Sequence, residues 1–191
     1  MPVGHVYEQA ALYCAAFNWP LDDEVAWLLG ELGPTKSVVE PFCGQARYGP
    51  TYAARGIDYV GFDRCREMLA QARPAEGMQV VRADARAFEL GGRFDLAWCP
   101  VNSICHLHQE AGIVSHLECV RRHLEPGGRY VVELELYSHD GPWTDPLPER
   151  SSWTVKHPNG GEVEAEWRRL SCDLARRIAV EEAHFEHRRD G

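Results

Sequence analysis

One stretch constrains this chain more than any other: Val38-Val39-Glu40-Pro41-Phe42-Cys43-Gly44-Gln45-Ala46-Arg47-Tyr48-Gly49. Lys36 to Glu40 reads as a short strand rich in β-branched residues that ends on an acid. A turn containing Pro41 and Gly44 follows, and a helix is expected from about Arg47. Strand, tight turn and helix in this order bring bare backbone N–H groups up to a ligand, and glycine is favoured where the ligand comes closest. Gly44 supplies that position, although a lone glycine is a weak signal because turns use glycine for ordinary reasons. The sequel strengthens it. Asp58 to Asp63 reads as a second strand ending in an acid, 23 residues beyond Glu40, and Met78 to Ala85 as a third with Asp84 near its end. An acid closing the second strand of a βαβ unit is placed to accept from a ribose hydroxyl pair. Strands alternating with helices predict an α/β fold with a parallel sheet.

The remainder of the chain fits this frame. The spacing of Tyr7, Ala10-Ala11, Cys14 and Phe17 predicts a helix over Val6–Phe17, with Tyr13 and Trp19 adding aromatic surface. Leu21, Val25, Leu28, Leu29 and Leu32 share one helical face, stopped by Gly33-Pro34. Tyr48 to Arg55 is expected as a crossover helix, and Cys65, Met68, Leu69 and Ala72 mark the next. Phe94 to Trp98 is a fourth strand. Ile113, Leu117, Val120 and Leu124 form a helix ending at Glu125-Pro126-Gly127-Gly128, and Arg129 to Leu136 is a fifth strand. From Ser138 the period changes to two. Trp153–Val155 and Val163–Trp167 flank the hairpin signal His157-Pro158-Asn159-Gly160-Gly161, and Arg176–Phe185 alternates as a third antiparallel strand. The expected division is a core over 1–137 and an antiparallel cover or sheet-completing extension over 138–191, the latter not an independent domain.

In open α/β sheets ligands sit in the crevice beyond the carboxyl ends of the strands. The loop from Cys99 to Leu107 is therefore the expected place for a substrate. Asn102, Ser103 and His106 are its polar candidates, with Tyr137 at the end of the fifth strand. His106 is the one candidate base, because histidine titrates near neutrality. The plainer alternative is that Asn102 and Ser103 cap the following helix.

Composition excludes several classes. A chain of 191 residues supports one core. With 20 Lys plus Arg against 29 Asp plus Glu, the formal net charge is −9, which argues against a nucleic-acid duplex or an anionic membrane as partner. Arg121-Arg122, Arg168-Arg169, Arg176-Arg177 and Arg188-Arg189 are interleaved with acids and read as solvated, salt-bridged faces. No signal peptide or membrane span is expected, so the anticipated setting is cytoplasmic. The seven cysteines are expected as reduced thiols. Neither Cys99/Cys105/His106/His108 nor His116/Cys119/His123 has paired Cys-x₂-Cys spacing, so no metal is expected. His116, Cys119 and His123 share a helical face, and the histidines read as surface or packing residues.

With these segments in order, the chain resembles the class I S-adenosyl-L-methionine (SAM)-dependent methyltransferases over roughly Tyr7 to Tyr137. It is most similar to small-molecule-type members whose first motif reads Glu-Pro-x-Cys-Gly-x-Gly-Arg, matched here by Glu40 to Arg47. The resemblance implies a Rossmann-like three-layer αβα sandwich, a mostly parallel sheet of order 3-2-1-4-5, and SAM as cofactor with S-adenosylhomocysteine (SAH) as product. It further implies that Glu40, Pro41, Phe42, Cys43 and Gly44 hold the methionine portion and Asp63 the ribose. Met68, Asp84 and Ala85 would lie at the adenine, and Arg64 and Pro100 complete the cofactor set. In the family an N-terminal helix covers the cofactor, which would turn Tyr13 toward the sulfonium, a favourable aromatic–cation pairing. The loop after the fourth strand lacks the Asp/Asn-Pro-Pro-Tyr signature, which with the acidic charge points to a small-molecule acceptor. Phe42 and Ala46 stand where the family's glycine-rich loop usually has two of its three glycines.

Typical members continue with a further helix and two more strands. Three arrangements answer this: a fragment, three C-terminal strands that finish the sheet, or a partner that does so, for which a homodimer across the fifth-strand edge is the simplest form. Two other functions stay open, a non-catalytic SAM-binding module or partner subunit and a nicotinamide-dependent Rossmann enzyme. The absence of Gly-x-Gly-x-x-Gly weighs against the latter.

Overall fold

Val38 and Val39 are both buried to within 1% and feed different hydrophobic clusters, one on each face of the strand that carries them. That double burial marks β1 (Ser37–Pro41) as the central strand. The structure is a computed structural model that describes residues 6–134, 150–173, 175–176 and 178–189. β1 pairs in parallel with β2 (Asp58–Asp63) on one side and β4 (Phe94–Cys99) on the other. β3 (Met78–Arg82) adds outside β2 and β5 (Leu124–Val132) outside β4, giving the order β3-β2-β1-β4-β5.

Because parallel strands need crossovers, helices fall on both faces of the sheet. Val25 and Leu28 of α2 (Asp22–Leu32) and Tyr52 of α3 (Gly49–Ala53) pack with Val38, Tyr59, Leu96 and Trp98. Cys119 and Val120 of α5 (Glu110–Arg122) pack with Val39, Phe62, Ala97 and the Phe88 ring on the other face. Asp95 Oδ2 staples the amino end of β1, accepting from Lys36 N at 2.8 Å and Ser37 N at 3.1 Å. The result is the expected Rossmann-like three-layer sandwich. Its crossovers reverse direction between β1 and β4, which opens a crevice at their carboxyl ends.

Several elements differ from their expected bounds. α4 spans only Arg66–Leu69. β5 begins at Leu124 rather than Arg129, because the register against β4 slips between Phe94 and Leu96. Gly128 permits that irregularity: a Cβ there would stand 2.9 Å from Glu125 O and 3.0 Å from Phe94 O.

By its contacts the chain divides into two compact units, Pro20–Glu135 and Met1–Trp19 with Leu136–Gly191. The second holds a 3-10 turn (Val6–Gln9), α1 (Ala10–Ala16) and the antiparallel sheet β6 (Arg150–Lys156), β7 (Glu162–Asp173), β8 (Ile178–Arg188). Ala15 and Ala16 of α1 pack on Val163, Ala165 and Phe185, and Trp153 Nε1 donates to Ala16 O at 2.8 Å. The first helical segment thus sides with the C-terminal strands, not with the core to which its sequence position assigned it. β6–β8 form a sheet of their own, so among the described residues they do not finish the parallel sheet. Charged pairs line this sheet, including Arg188 with Glu164 at 2.7 Å and Arg150 and Arg168 with Glu166.

Tyr52 is fully buried and stacked on Tyr59, yet its hydroxyl has no partner among the described residues. Removing an unpaired, desolvated hydroxyl is expected to stabilise the fold by about 1 kcal/mol. Tyr52→Phe should therefore raise the urea midpoint at unchanged slope. A lowered midpoint would reveal a buried water on the hydroxyl.

Candidate cofactor and acceptor site

After β1 the backbone alternates in and out of the left-handed region: Phe42 has φ 59°, Gly44 55° and Ala46 53°. Phe42 and Ala46 are the two positions where the resembled family places glycine, and the positive φ is the reason glycine suits them. The turn is held by Cys43 N donating to Phe62 O at 3.0 Å and Ala46 N donating to Cys43 O at 2.7 Å. At Gly44 a Cβ would stand 3.0 Å from Met68 Cε. Met68 therefore lies buried beneath the turn.

The acids that close β1 and β2 have different surroundings. Glu40 is buried, and its Oε2 accepts from the Tyr59 hydroxyl at 2.6 Å. Burial dominates there and pushes its carboxyl up to about 8, against the opposing Tyr59 hydrogen bond and the Arg47 charge. Gly61, paired with Glu40 across the strands, makes room for this contact, since a Cβ would fall 2.7 Å from Tyr59 Oη and 2.9 Å from Cys43 Sγ. Asp63 is half-buried and ties the turn to its own strand. Its Oδ2 accepts from Gly44 N at 2.9 Å, and its Oδ1 from Cys65 N at 2.8 Å. Pro41 and Cys43 are buried, and burial pushes the Cys43 thiol up, which keeps it neutral. Arg64 is exposed, and its carbonyl accepts from Arg82 Nε at 3.2 Å.

Asp84 is already engaged. Both its oxygens accept from the Arg86 guanidinium, the shortest contact being 2.5 Å, and Oδ1 also accepts from Arg86 N at 2.9 Å. The Arg86 side chain, then its backbone N–H, hold the Asp84 carboxyl down to about 2. Ala85 is buried, and its carbonyl meets His116 Nδ1 at 2.8 Å.

At the end of β4, Pro100 is buried, while Val101 and Asn102 both have φ 55°. Val101 N donates to Glu133 Oε2 at 2.6 Å, and Glu133 N to Cys99 O at 3.0 Å, which seats the loop on the end of β5. Asn102 stands at the cap position of the 3-10 turn Ser103–His106, without a side-chain capping hydrogen bond. The capping role considered for Asn102 is therefore not the one it has. His106 is exposed, and its ring centroid lies 6.4 Å from that of Phe42. The structure thus brings the loop after β4 and the first motif together. Tyr13 belongs to the other unit, where it packs on Phe17 at 4.5 Å and edge-on to Phe185 at 6.1 Å. Tyr137 lies outside the described residues.

A β-branched residue in the left-handed region is strained by roughly 1–2 kcal/mol. Val101 is 47% exposed, so little packing offsets that strain. Val101→Asn, which tolerates this conformation, is expected to gain about 1 kcal/mol in thermal or urea unfolding. No gain would mean that the neighbouring loop relaxes the strain by other means.

Sequence reasoning left Tyr59, Gly61 and Arg86 without site roles. The tell-tale for Tyr59 was a polar aromatic in a strand otherwise reading as buried. Nothing local pointed to Arg86. Among the described residues no group of three or more His, Cys, Asp or Glu side chains is placed to hold a metal, and the six described cysteines are free thiols. No described helix is long and apolar enough to cross a membrane.

Residues 38–128 match a family model described as a methyltransferase domain. The match runs from β1 to Gly128 and takes in Glu40, Gly44, Asp63 and Asp84, so this span is similar to a methyltransferase domain. Among solved structures, SAM-bound CalS10, an amino pentose methyltransferase from Micromonospora echinaspora, superposes with a TM-score of 0.66 at 22% identity, over 95% of this chain and 81% of that one. Streptomyces venezuelae DesVI gives 0.67 at 17% identity, over 94% and 78%. The sugar N-methyltransferase KedS8 from Streptoalloteichus sp ATCC 53650 gives 0.60 at 20% identity, over 100% and 81%. At these identities the likeness is one of fold. No curated protein matches the sequence.

Proposed function

We propose that this chain is a class I SAM-dependent methyltransferase of the Glu-Pro-x-Cys-Gly type, acting on a small polar acceptor. The observation that carries the reading is the pair of acids at the switch point: Glu40 buried at the end of β1, and Asp63 at the end of β2 with its carboxylate on the Gly44 N–H. The residues fit such a cofactor. At Gly44 the positive φ favours glycine and a Cβ would press on the tip of Met68, so the turn suits a bare backbone. Glu40 offers a carboxyl with one donor on it for an ammonium group, and Asp63 a half-buried acceptor for hydroxyls.

When bound, SAM supplies an electrophilic methyl on a sulfonium. The chain's own work is then to orient the partners and exclude water, which accounts for much of the rate in such transfers. Glu40, the Gly44 turn and Asp63 hold one partner. The strained Val101-Asn102 loop, Ser103 and His106 meet the acceptor, and His106 takes the acceptor's proton where one must leave. Solved neighbours include an amino pentose methyltransferase and a sugar N-methyltransferase, which makes amine-bearing sugars the first acceptors to try. The antiparallel extension over 138–191 is a dependent element in this reading, because its core needs Ala15 and Ala16 of α1.

A second reading, a binding module without turnover, draws on the occupation of Asp84 by Arg86. Calorimetric titration with SAM and SAH tests the cofactor site, and a product mass 14 Da heavier (about one CH₂) in an amino-sugar panel tests transfer. Binding of both ligands without product from any acceptor would favour the module. No binding by the folded chain would end both readings.

A further inference from the structure

His116 is fully buried on α5, and both its ring nitrogens are engaged, Nδ1 with Ala85 O at 2.8 Å and Nε2 with the Tyr130 hydroxyl at 2.7 Å. A carbonyl only accepts, so Nδ1 carries the proton, Nε2 is bare, and Tyr130 O–H donates to it. One directed chain of hydrogen bonds therefore links β5, α5 and the segment after β3. The Phe42 ring of the first motif lies 5.4 Å from the imidazole. A core position on α5 beside Cys119 and Val120 needs only apolar bulk, and a leucine would meet that need without two buried polar contacts to satisfy. The arrangement has a use in the site. With both Asp84 oxygens on Arg86, reading a base edge falls to the backbone of Asp84-Ala85, and His116 fixes that backbone.

We propose that His116 is a positioning residue of the cofactor site, held as the Nδ1–H tautomer between Ala85 and Tyr130, and that it sets selectivity for the adenine base. The proposal rests on the methyltransferase reading. Burial holds the ring below the usual histidine range, so it stays neutral at neutral pH and the tautomer persists.

The test uses the whole chain, with SAH and its inosine counterpart titrated calorimetrically into wild type, His116→Asn and His116→Gln. Asparagine places an N–H donor where Nδ1 stands. Glutamine reaches the Nε2 position and leaves Ala85 O without its donor. His116→Asn is expected to keep the adenine preference to within about twofold. His116→Gln is expected to lose roughly tenfold in SAH affinity, with the inosine form little changed, so that the ratio collapses. A histidine that only fills the core would weaken both ligands alike in both variants, and an unchanged ratio overturns the proposal. Should His116→Gln fail to fold, Tyr130→Phe serves instead: it frees Nε2 and should cut the ratio part-way, whereas a full ratio overturns the idea. Nitrogen-15 imidazole spectra give a readout independent of ligand. Among the described residues His116 and His123, whose Nδ1 donates to Cys119 O at 2.8 Å, are expected as Nδ1–H rings, and the His116 signal must vanish in His116→Asn. An Nε2–H His116 would overturn the assignment. If the wild-type chain binds no SAH, the functional reading fails and the proposal falls with it, a result unlike an unchanged ratio in a chain that binds.

Discussion

Asp63→Ala is expected to weaken SAH binding by about 2–4 kcal/mol, roughly 30- to 1,000-fold. The sequence alone supports only the loss of an acceptor for ribose hydroxyls, about 1–3 kcal/mol by the cost of leaving buried polar partners unsatisfied. The structure adds a second effect. Asp63 also satisfies the Gly44 and Cys65 N–H groups, so the substitution releases the turn that shapes the site. A drop in thermal midpoint should therefore accompany the loss of affinity. Asp63→Asn retains one accepting oxygen and should fall between the two. Calorimetry on the three proteins decides it, and equal SAH affinity for wild type and Asp63→Ala would sink the ribose assignment.

The second large effect is a pH dependence of stability set by Glu40. Its folded value of about 8 lies above the unfolded value of 4.5, the reverse of the usual carboxylate case. Below pH 4.5 both states hold the proton and the shift costs nothing. Between 4.5 and 8 the folded chain keeps a proton that the unfolded chain releases, so stability falls as pH rises, by up to about 1.4 kcal/mol per pH unit. The cumulative loss reaches on the order of 5 kcal/mol by pH 8 and stays constant above it. Glu40→Gln keeps an oxygen for the Tyr59 hydroxyl but has nothing to titrate. It should match wild type near pH 4.5 and exceed it by several kcal/mol near pH 8, and on the proposed cofactor reading it should bind SAM more weakly. Urea unfolding of both proteins across that window is the measurement. Parallel pH profiles would show that Glu40 is solvated in the native state and not held protonated.

That acid illustrates where a sequence speaks and where it stops. The β-branched run before Glu40 and the 23-residue step to Asp63 set out a parallel α/β sheet, because strand propensity and helical period act over a few residues. The same local physics located the carboxyl ends of β1, β2 and β4, hence the crevice. The family resemblance, not local physics, singled out Phe42 and Ala46 as departures, and both sit in the left-handed conformation that glycine adopts freely.

Other features depend on residues far apart in sequence. Whether Glu40 is charged follows from Tyr59 and Gly61 on the neighbouring strand. Whether Asp84 is free follows from the rotamer of Arg86. That α1 joins β6–β8 follows from which apolar face closes over Ala15 and Ala16, and helical spacing cannot name its partner. His116 read as a surface or packing residue because a helix period reports only which residues share a face. Its bonds to Ala85 and Tyr130 exist because three elements converge on one ring. The order of elements and the identity of the acids belong to the chain's local chemistry. Their protonation, their partners and the direction of their hydrogen bonds were decided by burial and long-range packing, which only the folded arrangement of the strands creates.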